Sequence, residues 1–283
     1  MTRRTPDHRF TIMPINHNGA EGLTASSWRT HLRLLKCRMR QSLKEMRRGY
    51  GQPYAQQQKP INSSRFNHLW SQCQTPIKQR SSANNLHQNR LINMSLAAQF
   101  VDGLILQPQQ IFGFWRRIPQ PTIQNGFRAG PMLIRGQLTT DAGGGLCQIS
   151  TTLFGAFLAG NLEILERSNH SVDTYGDDRF FTLGQDAAVV YGYKDLVVRN
   201  LHTVPLQLRL QVDEAQLTAT ASLWGPTPIP DTISLNSEVI QSLPAPPGGI
   251  PGWRVRTQRW VQPPESPKIL TYQTEDTYQP YPL

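Results

Sequence analysis

The chain has 283 residues and 32.0 kDa, enough for one or two domains with a real core. Its net charge of +10 is unevenly spread: residues 1–96 carry 16 Lys+Arg against 3 Asp+Glu, and residues 97–283 carry 13 against 16. The basicity therefore belongs to an N-terminal segment, which argues against a nucleic-acid-binding core, so no nucleic-acid partner is expected.

Two further classes are excluded by pattern. No run approaches the about 18 consecutive apolar residues of a transmembrane helix. The basic N-terminus is followed by a short stretch broken by Pro14, not by the apolar core of a secretory signal. Cys37, Cys73 and Cys147 make no disulfide framework and lack paired metal-ligand spacing. These features predict a reduced, cytoplasmic protein, peripheral at most to the inner membrane face, with no metal or cofactor.

In chain order, residues 1–50 read as a basic arm with one amphipathic helix, capped by Ser26 or Ser27 and stopped by Gly49. Trp28, Leu32, Leu35, Met39, Leu43 and Met46 form one stripe, with Arg29, Arg33, Lys36, Arg40, Lys44 and Arg47 along a flank. Such a helix, over residues 27–48, suits either an anionic membrane surface or a stripe packed on the core. Residues 51–84 read as a polar linker: residues 51–90 hold eight glutamines and no acid, with a short helix expected around Arg65–Gln72. A helix is predicted from Asn89 to Val101 and a second from Cys147 to Ala159. Strands are predicted at Ile111–Trp115 and Gly130–Gly136. Alternation at Leu206–Val212 and Leu217–Leu223 predicts a hairpin. Residues 85–225 thus form the core domain. The proline-rich residues 226–283 form an extension packed on it, expected as edge strands and loops. The fold class expected is α+β, with a central helix on a mainly antiparallel sheet.

The chemistry concentrates at Asp141-Ala-Gly-Gly-Gly-Leu-Cys147-Gln148-Ile-Ser150. Three glycines suit a backbone that must take positive φ or approach something closely. They run straight into a helix, so Cys147 falls in its first turn. There the dipole and free N–H groups lower a thiol pKa and can stabilise an oxyanion. His170 can return beside that point, since a helix of about 20 Å is followed by nine residues reaching up to ~30 Å. Asp186 could orient it, giving Cys147 as nucleophile, His170 as base and Asp186 as orienter. Gln148 would be a further oxyanion donor. Asp186 could equally hold an Asx turn, and the glycine loop could bind an anion without chemistry or serve as a packed turn.

These residues carry a resemblance. The GGG-x-CQ-x-S motif (Gly143, Gly144, Gly145, Cys147, Gln148, Ser150), an ER-x-x-H segment (Glu166, Arg167, His170) and a D-A-x-V strand (Asp186, Ala187, Val189) resemble the VanW-like family over about residues 85–213. The resemblance implies a link to glycopeptide resistance and the bacterial cell envelope, with a cell-wall peptide or precursor as partner. It implies no established reaction. Besides the three catalytic candidates and Gln148, it marks Gly143, Gly144, Gly145, Ser150, Glu166 and Arg167 as binding candidates. The layout is similar to papain-like and transglutaminase-like thiol enzymes. Two functions stay open: thiol-based acyl transfer or amide hydrolysis, and non-catalytic binding of an anionic envelope precursor at the glycine loop.

Overall fold

The computed structural model describes residues 50–59, 64–79, 84–134 and 137–282. Within the N-terminal segment it describes Leu32, Leu35, Lys36, Met39, Arg40, Ser42, Leu43 and Met46. The fold is α+β, with antiparallel pairing between all its named strands.

Its centre is a four-stranded sheet, β1 (His68–Pro76), β9 (Thr218–Gly225), β8 (Leu206–Asp213) and β2 (Leu104–Leu106), in that order. Helix α3 (Leu146–Ala159) packs on β1 and β9, and α1 (Asn84–Val101) packs on β8. Ile149, Leu153, Phe154 and Phe157 of α3 are fully buried, as are Leu208, Ala221 and Leu223 of the sheet. A helix apolar on nearly all sides has to be central. A smaller sheet places β3 (Ile111–Gly113) beside β7 (Val197–Arg199) and β6 (Glu163–Glu166). Strands β4 (Ala129–Ile134) and β5 (Gln137–Ala142) form a hairpin that leads into the glycine loop.

The helices predicted at Asn89–Val101 and Cys147–Ala159 and the β8–β9 hairpin are present. Other expectations are corrected. The stretch expected as a linker, and the short helix within it, supply β1, an edge strand of the central sheet. The reason is that β1 turns small polar groups inward. Ser71 Oγ donates to the Ala156 carbonyl (2.8 Å) and Thr75 Oγ1 pairs with Thr152 Oγ1 (2.7 Å), so apolar alternation is weak there. The predicted strand at Ile111–Trp115 ends at Gly113, where a one-turn helix α2 (Phe114–Arg117) begins. The described residues of the basic helix are helical, but Leu32, Leu35, Met39, Leu43 and Met46 are exposed, so this part of the stripe is not packed on the core. Among the described residues no helix is long and apolar enough to cross a membrane.

The C-terminal extension forms its own three-stranded meander, β10 (Thr232–Leu243), β11 (Gly252–Gln262) and β12 (Ile269–Tyr278). Its prolines fall between the strands or beyond the last one, where no ladder N–H is needed. Buried Arg259 of β11 donates to the carbonyls of Leu158 (3.3 Å) and Leu162 (2.8 Å), anchoring the meander at the C-terminal end of α3.

The close approach of α3 to β1 depends on Gly155. A Cβ there would lie 2.4 Å from Cys73 Sγ. Gly155→Ala is therefore expected to destabilise the fold by about 1–3 kcal/mol through overpacking, despite the better helix propensity of alanine. Adding Cys73→Ala should recover part of that loss. Urea unfolding of the two variants tests both statements.

Candidate active site

The glycine loop fixes where the thiol stands. Gly143 and Gly145 have φ of +94° and +104°, a region open chiefly to glycine. Space makes the same demand: a Cβ on Gly143 would lie 2.6 Å from Pro121 Cβ, and one on Gly145 2.6 Å from Met94 Cγ. The Gly144 carbonyl accepts a hydrogen bond from Asn93 Nδ2 of α1 (3.2 Å). All three glycines are thus clamped against neighbouring chain, and Cys147 follows as the second residue of α3.

The first turn of α3 leaves one amide for chemistry. The N–H groups of Leu146, Gln148 and Ile149 are taken by the carbonyls of Gly143 and Gly145. The Cys147 N–H has no acceptor among the described residues. Cys147 is half-buried, and its Sγ lies 3.5 Å from the Val189 carbonyl oxygen.

Helix α3 also holds the segment that carries the acid. Ser150 Oγ donates to the Ala187 carbonyl (2.5 Å), and Thr151 Oγ1 accepts from the Ala187 N–H (3.0 Å). These contacts draw Asp186 and Val189 to the same end of the helix as Cys147. Asp186 is fully buried. Its Oδ2 accepts from the His170 backbone N–H (2.8 Å) and lies 2.5 Å from His170 Nδ1. Its Oδ1 accepts from Arg167 Nη2 (2.9 Å) and Tyr278 Oη (2.6 Å). Tyr278 Oη in turn accepts from the Gly184 N–H (2.8 Å).

His170 links the acid to the thiol. One side of the ring meets Asp186, and the ring lies close enough to Cys147 for each to shift the other's titration. Phe181 stacks on it at 6.0 Å between centroids, and Tyr175 meets it edge-on at 6.1 Å. The three sequence-predicted catalytic residues are therefore brought together in space.

The electrostatics follow from burial and pairing. Burial alone would push the Cys147 thiol up, but its hydrogen bond to His170 and the imidazolium charge outweigh that and hold it below the ordinary value. Burial alone would push His170 down, but its bonds to Asp186 and Cys147 hold it well above its ordinary value. Against the same burial penalty, bonds and charges from His170, Arg167 and Tyr278 pull Asp186 down to about 2. The three shifts favour a thiolate–imidazolium pair beside a carboxylate.

The remaining candidates take other places. Arg167 is buried within the cluster: Nε donates to the Asp186 carbonyl (2.5 Å), Nη2 to the Gly184 carbonyl (3.1 Å), and Nη1 pairs with Asp276. Its guanidinium also lies over the Phe154 ring at 5.1 Å. Gln148 is buried, with Nε2 donating to Thr75 Oγ1 (3.1 Å) and the Pro76 carbonyl (2.9 Å) and Oε1 accepting from Arg90. Both ends of its carboxamide are thus engaged on β1 and α1. Glu166 Oε1 accepts from the Asp195 N–H (3.3 Å) at the β6–β7 junction. Sequence reasoning missed Tyr278 and Asp276. The available signal was an acid at an inward position of an alternating strand, since Asp276 and Tyr278 are the buried pair at the end of β12.

Residues 89–222 match the family model described as VanW like protein. The chain is 34% identical over 131 residues to the vancomycin B-type resistance protein VanW of Enterococcus faecalis, which covers 46% of this chain and 48% of that protein. It is 30% identical over 126 residues to the uncharacterized protein YoaR of Bacillus subtilis, covering 44% and 40%. The matches thus span about half, or less, of these relatives. No solved structure matches. Cys147, His170 and Asp186 all fall inside the matched segment, whereas Asp276 and Tyr278 lie beyond it. Residues 89–222 thus form a VanW-like segment, similar in sequence to these relatives.

Proposed function

We propose that this chain is a thiol enzyme that transfers or hydrolyses an acyl group held in an amide or ester, with a cell-wall peptide or its precursor as substrate class. The observation that carries the chemistry is the joining of Cys147, His170 and Asp186 through one ring, with His170 Nδ1 2.5 Å from Asp186 Oδ2. The substrate class rests on similarity to a protein named for vancomycin B-type resistance.

The chemistry runs in two balanced halves. The Cys147 thiolate adds to the carbonyl carbon, and the charge that develops on oxygen is received by the unpaired Cys147 N–H. The carbon–nitrogen or carbon–oxygen bond then breaks as the His170 imidazolium gives its proton to the leaving atom, which leaves a thioester on Cys147. A water or an acceptor amine then attacks the thioester and loses its proton to His170, and the thiolate departs. Asp186 keeps Nδ1 protonated and the ring oriented throughout, as the buried acid of a triad does. Binding of an anion by the glycine loop is not favoured: its glycines are occupied in packing against Pro121, Met94 and Asn93.

Alkylation of Cys147 by iodoacetamide, read peptide by peptide by mass spectrometry, tests the ion pair. Reactivity should rise with pH at a midpoint below the ordinary thiol value. His170→Ala leaves burial unopposed, so its midpoint should lie above that value, with labelling at pH 7 slowed about tenfold or more. An ordinary midpoint that His170→Ala does not move would sink the proposal. A second check is chemical: incubation with acyl-donor peptides and esters should add an acyl mass to Cys147, and Cys147→Ala should abolish it while the fold is kept.

Asp186 adds a stability signature. Its folded pKa of about 2 lies below the ordinary 3.8, so its stabilisation is fully present above the unfolded value and is lost as pH falls through about 2. The shift is worth about 2 kcal/mol. Asp186→Asn should be less stable at neutral pH and should lose less stability between pH 5 and pH 2. Urea midpoints across that range measure the difference.

A further inference from the structure

The VanW-like segment does not contain every group that contacts its own candidate triad. Strand β12 runs beside the loop that carries His170. Asn169 Nδ2 donates to the Thr277 carbonyl (2.9 Å), and the Gln279 N–H donates to the Ser171 carbonyl (2.7 Å). The residues on both sides of His170 are thus tied to this strand. From the same strand, Tyr278 donates to Asp186 Oδ1, and Asp276 pairs with Arg167, which also donates to Oδ1. Tyr278 is fully buried.

We propose that Tyr278 is a positioning residue of the triad, and that the C-terminal meander is an integral part of the active site. The inference rests on the thiol-enzyme reading above. By donating to Oδ1, the Tyr278 hydroxyl withdraws charge from Asp186 and leaves Oδ2 to face His170. This tempers the pull of Asp186 on the imidazolium proton, so that His170 remains acidic enough to protonate a leaving group. The groups facing Asp186 and His170 are Arg167 from the segment after β6, Asp276 and Tyr278 from β12, Cys147 from α3, and the Tyr175 ring, with Tyr272 of β12 facing Arg167. Of the donors that reach Oδ1, Tyr278 is the uncharged one, so its removal changes hydrogen bonding without changing net charge.

The test is the pH profile of Cys147 alkylation in the full chain, compared between wild type and Tyr278→Phe. The phenylalanine keeps the packing and deletes the hydroxyl. Asp186 then loses a donor that offsets its charge, its carboxylate opposes the Cys147 thiolate more strongly, and the acid limb of thiolate reactivity should move up by about half a pH unit. Where an acyl substrate is turned over, kcat should fall more than KM changes. Asp276→Asn is the second variant. It removes one negative charge and leaves Arg167 to act on Asp186 alone, and the limb should move down. Circular dichroism establishes that each variant is folded. A limb that Tyr278→Phe leaves in place, or moves down, overturns the inference while a low wild-type midpoint leaves the thiol-enzyme reading standing. An ordinary wild-type midpoint overturns both. If Tyr278→Phe fails to fold, an unmoved limb in Asp276→Asn overturns the inference.

Discussion

The site depends on one carboxylate being fully buried and fully bonded. Asp186 accepts four hydrogen bonds, from the His170 backbone and ring, Arg167 and Tyr278. Each donor comes with a stretch of chain: the segment after β6 brings His170 and Arg167, and β12 brings Tyr278. Because an unmet carboxylate in this position would be intolerable, the carboxylate forces these stretches to converge. That convergence is what sets the imidazole against the thiol at the start of α3.

The charges around this point alternate. Read from the helix outward, the groups are the Cys147 thiol, held below its ordinary pKa, the His170 ring, held above its own, the Asp186 carboxylate, the Arg167 guanidinium and the Asp276 carboxyl. Pairing makes the array tolerable, but it does not make it a source of stability. Buried ion pairs commonly do no better than well-packed apolar side chains of the same volume. A fold whose centre already contains Phe154, Phe157 and Leu153 has no need of such a cluster for cohesion. Its place beside a half-buried thiol argues that it is kept for what it does to the thiol.

Much of this was legible in the sequence. The glycine run ahead of an apolar helix located Cys147, and chain-reach arithmetic brought His170 back to it. The β8–β9 hairpin showed itself by clean alternation of Leu206, Leu208 and Leu210 with polar residues. What was hidden follows a common cause: inward-facing polar side chains. Strand β1 buries Ser71 and Thr75, so it resembled a polar linker. Tyr278 and Asp276 lie in a tail whose prolines suggested loops, although every proline there falls between strands or beyond the last one. The contact of Tyr278 with Asp186 spans 92 residues, and no local pattern encodes a pairing of that range. Gln148 shows the opposite error. It stood beside the cysteine in sequence, but the next position on a helix turns about 100° away, and its amide is spent on Thr75, Pro76 and Arg90.

The small hydroxyl residues of α3 explain how a rigid core and a reactive group coexist. Ser150 and Thr151 grip the Ala187 backbone, while Thr152 meets Thr75 on the opposite strand. Larger side chains would hold these neighbours farther off and leave their backbone groups unmet. With them close, the thiol, the Val189 carbonyl and the buried acid share one fixed frame, and the aromatic rings of Tyr175 and Phe181 cover the imidazole. His170 is therefore shielded from water while Cys147 keeps part of its surface exposed. Shielding strengthens the attraction between the ring and the carboxylate, and the residue that carries the sulfur keeps part of its surface at the boundary of the core. The proposed nucleophile needs both conditions at once, and the helix start places Cys147 at the edge of the core while His170 and Asp186 lie inside.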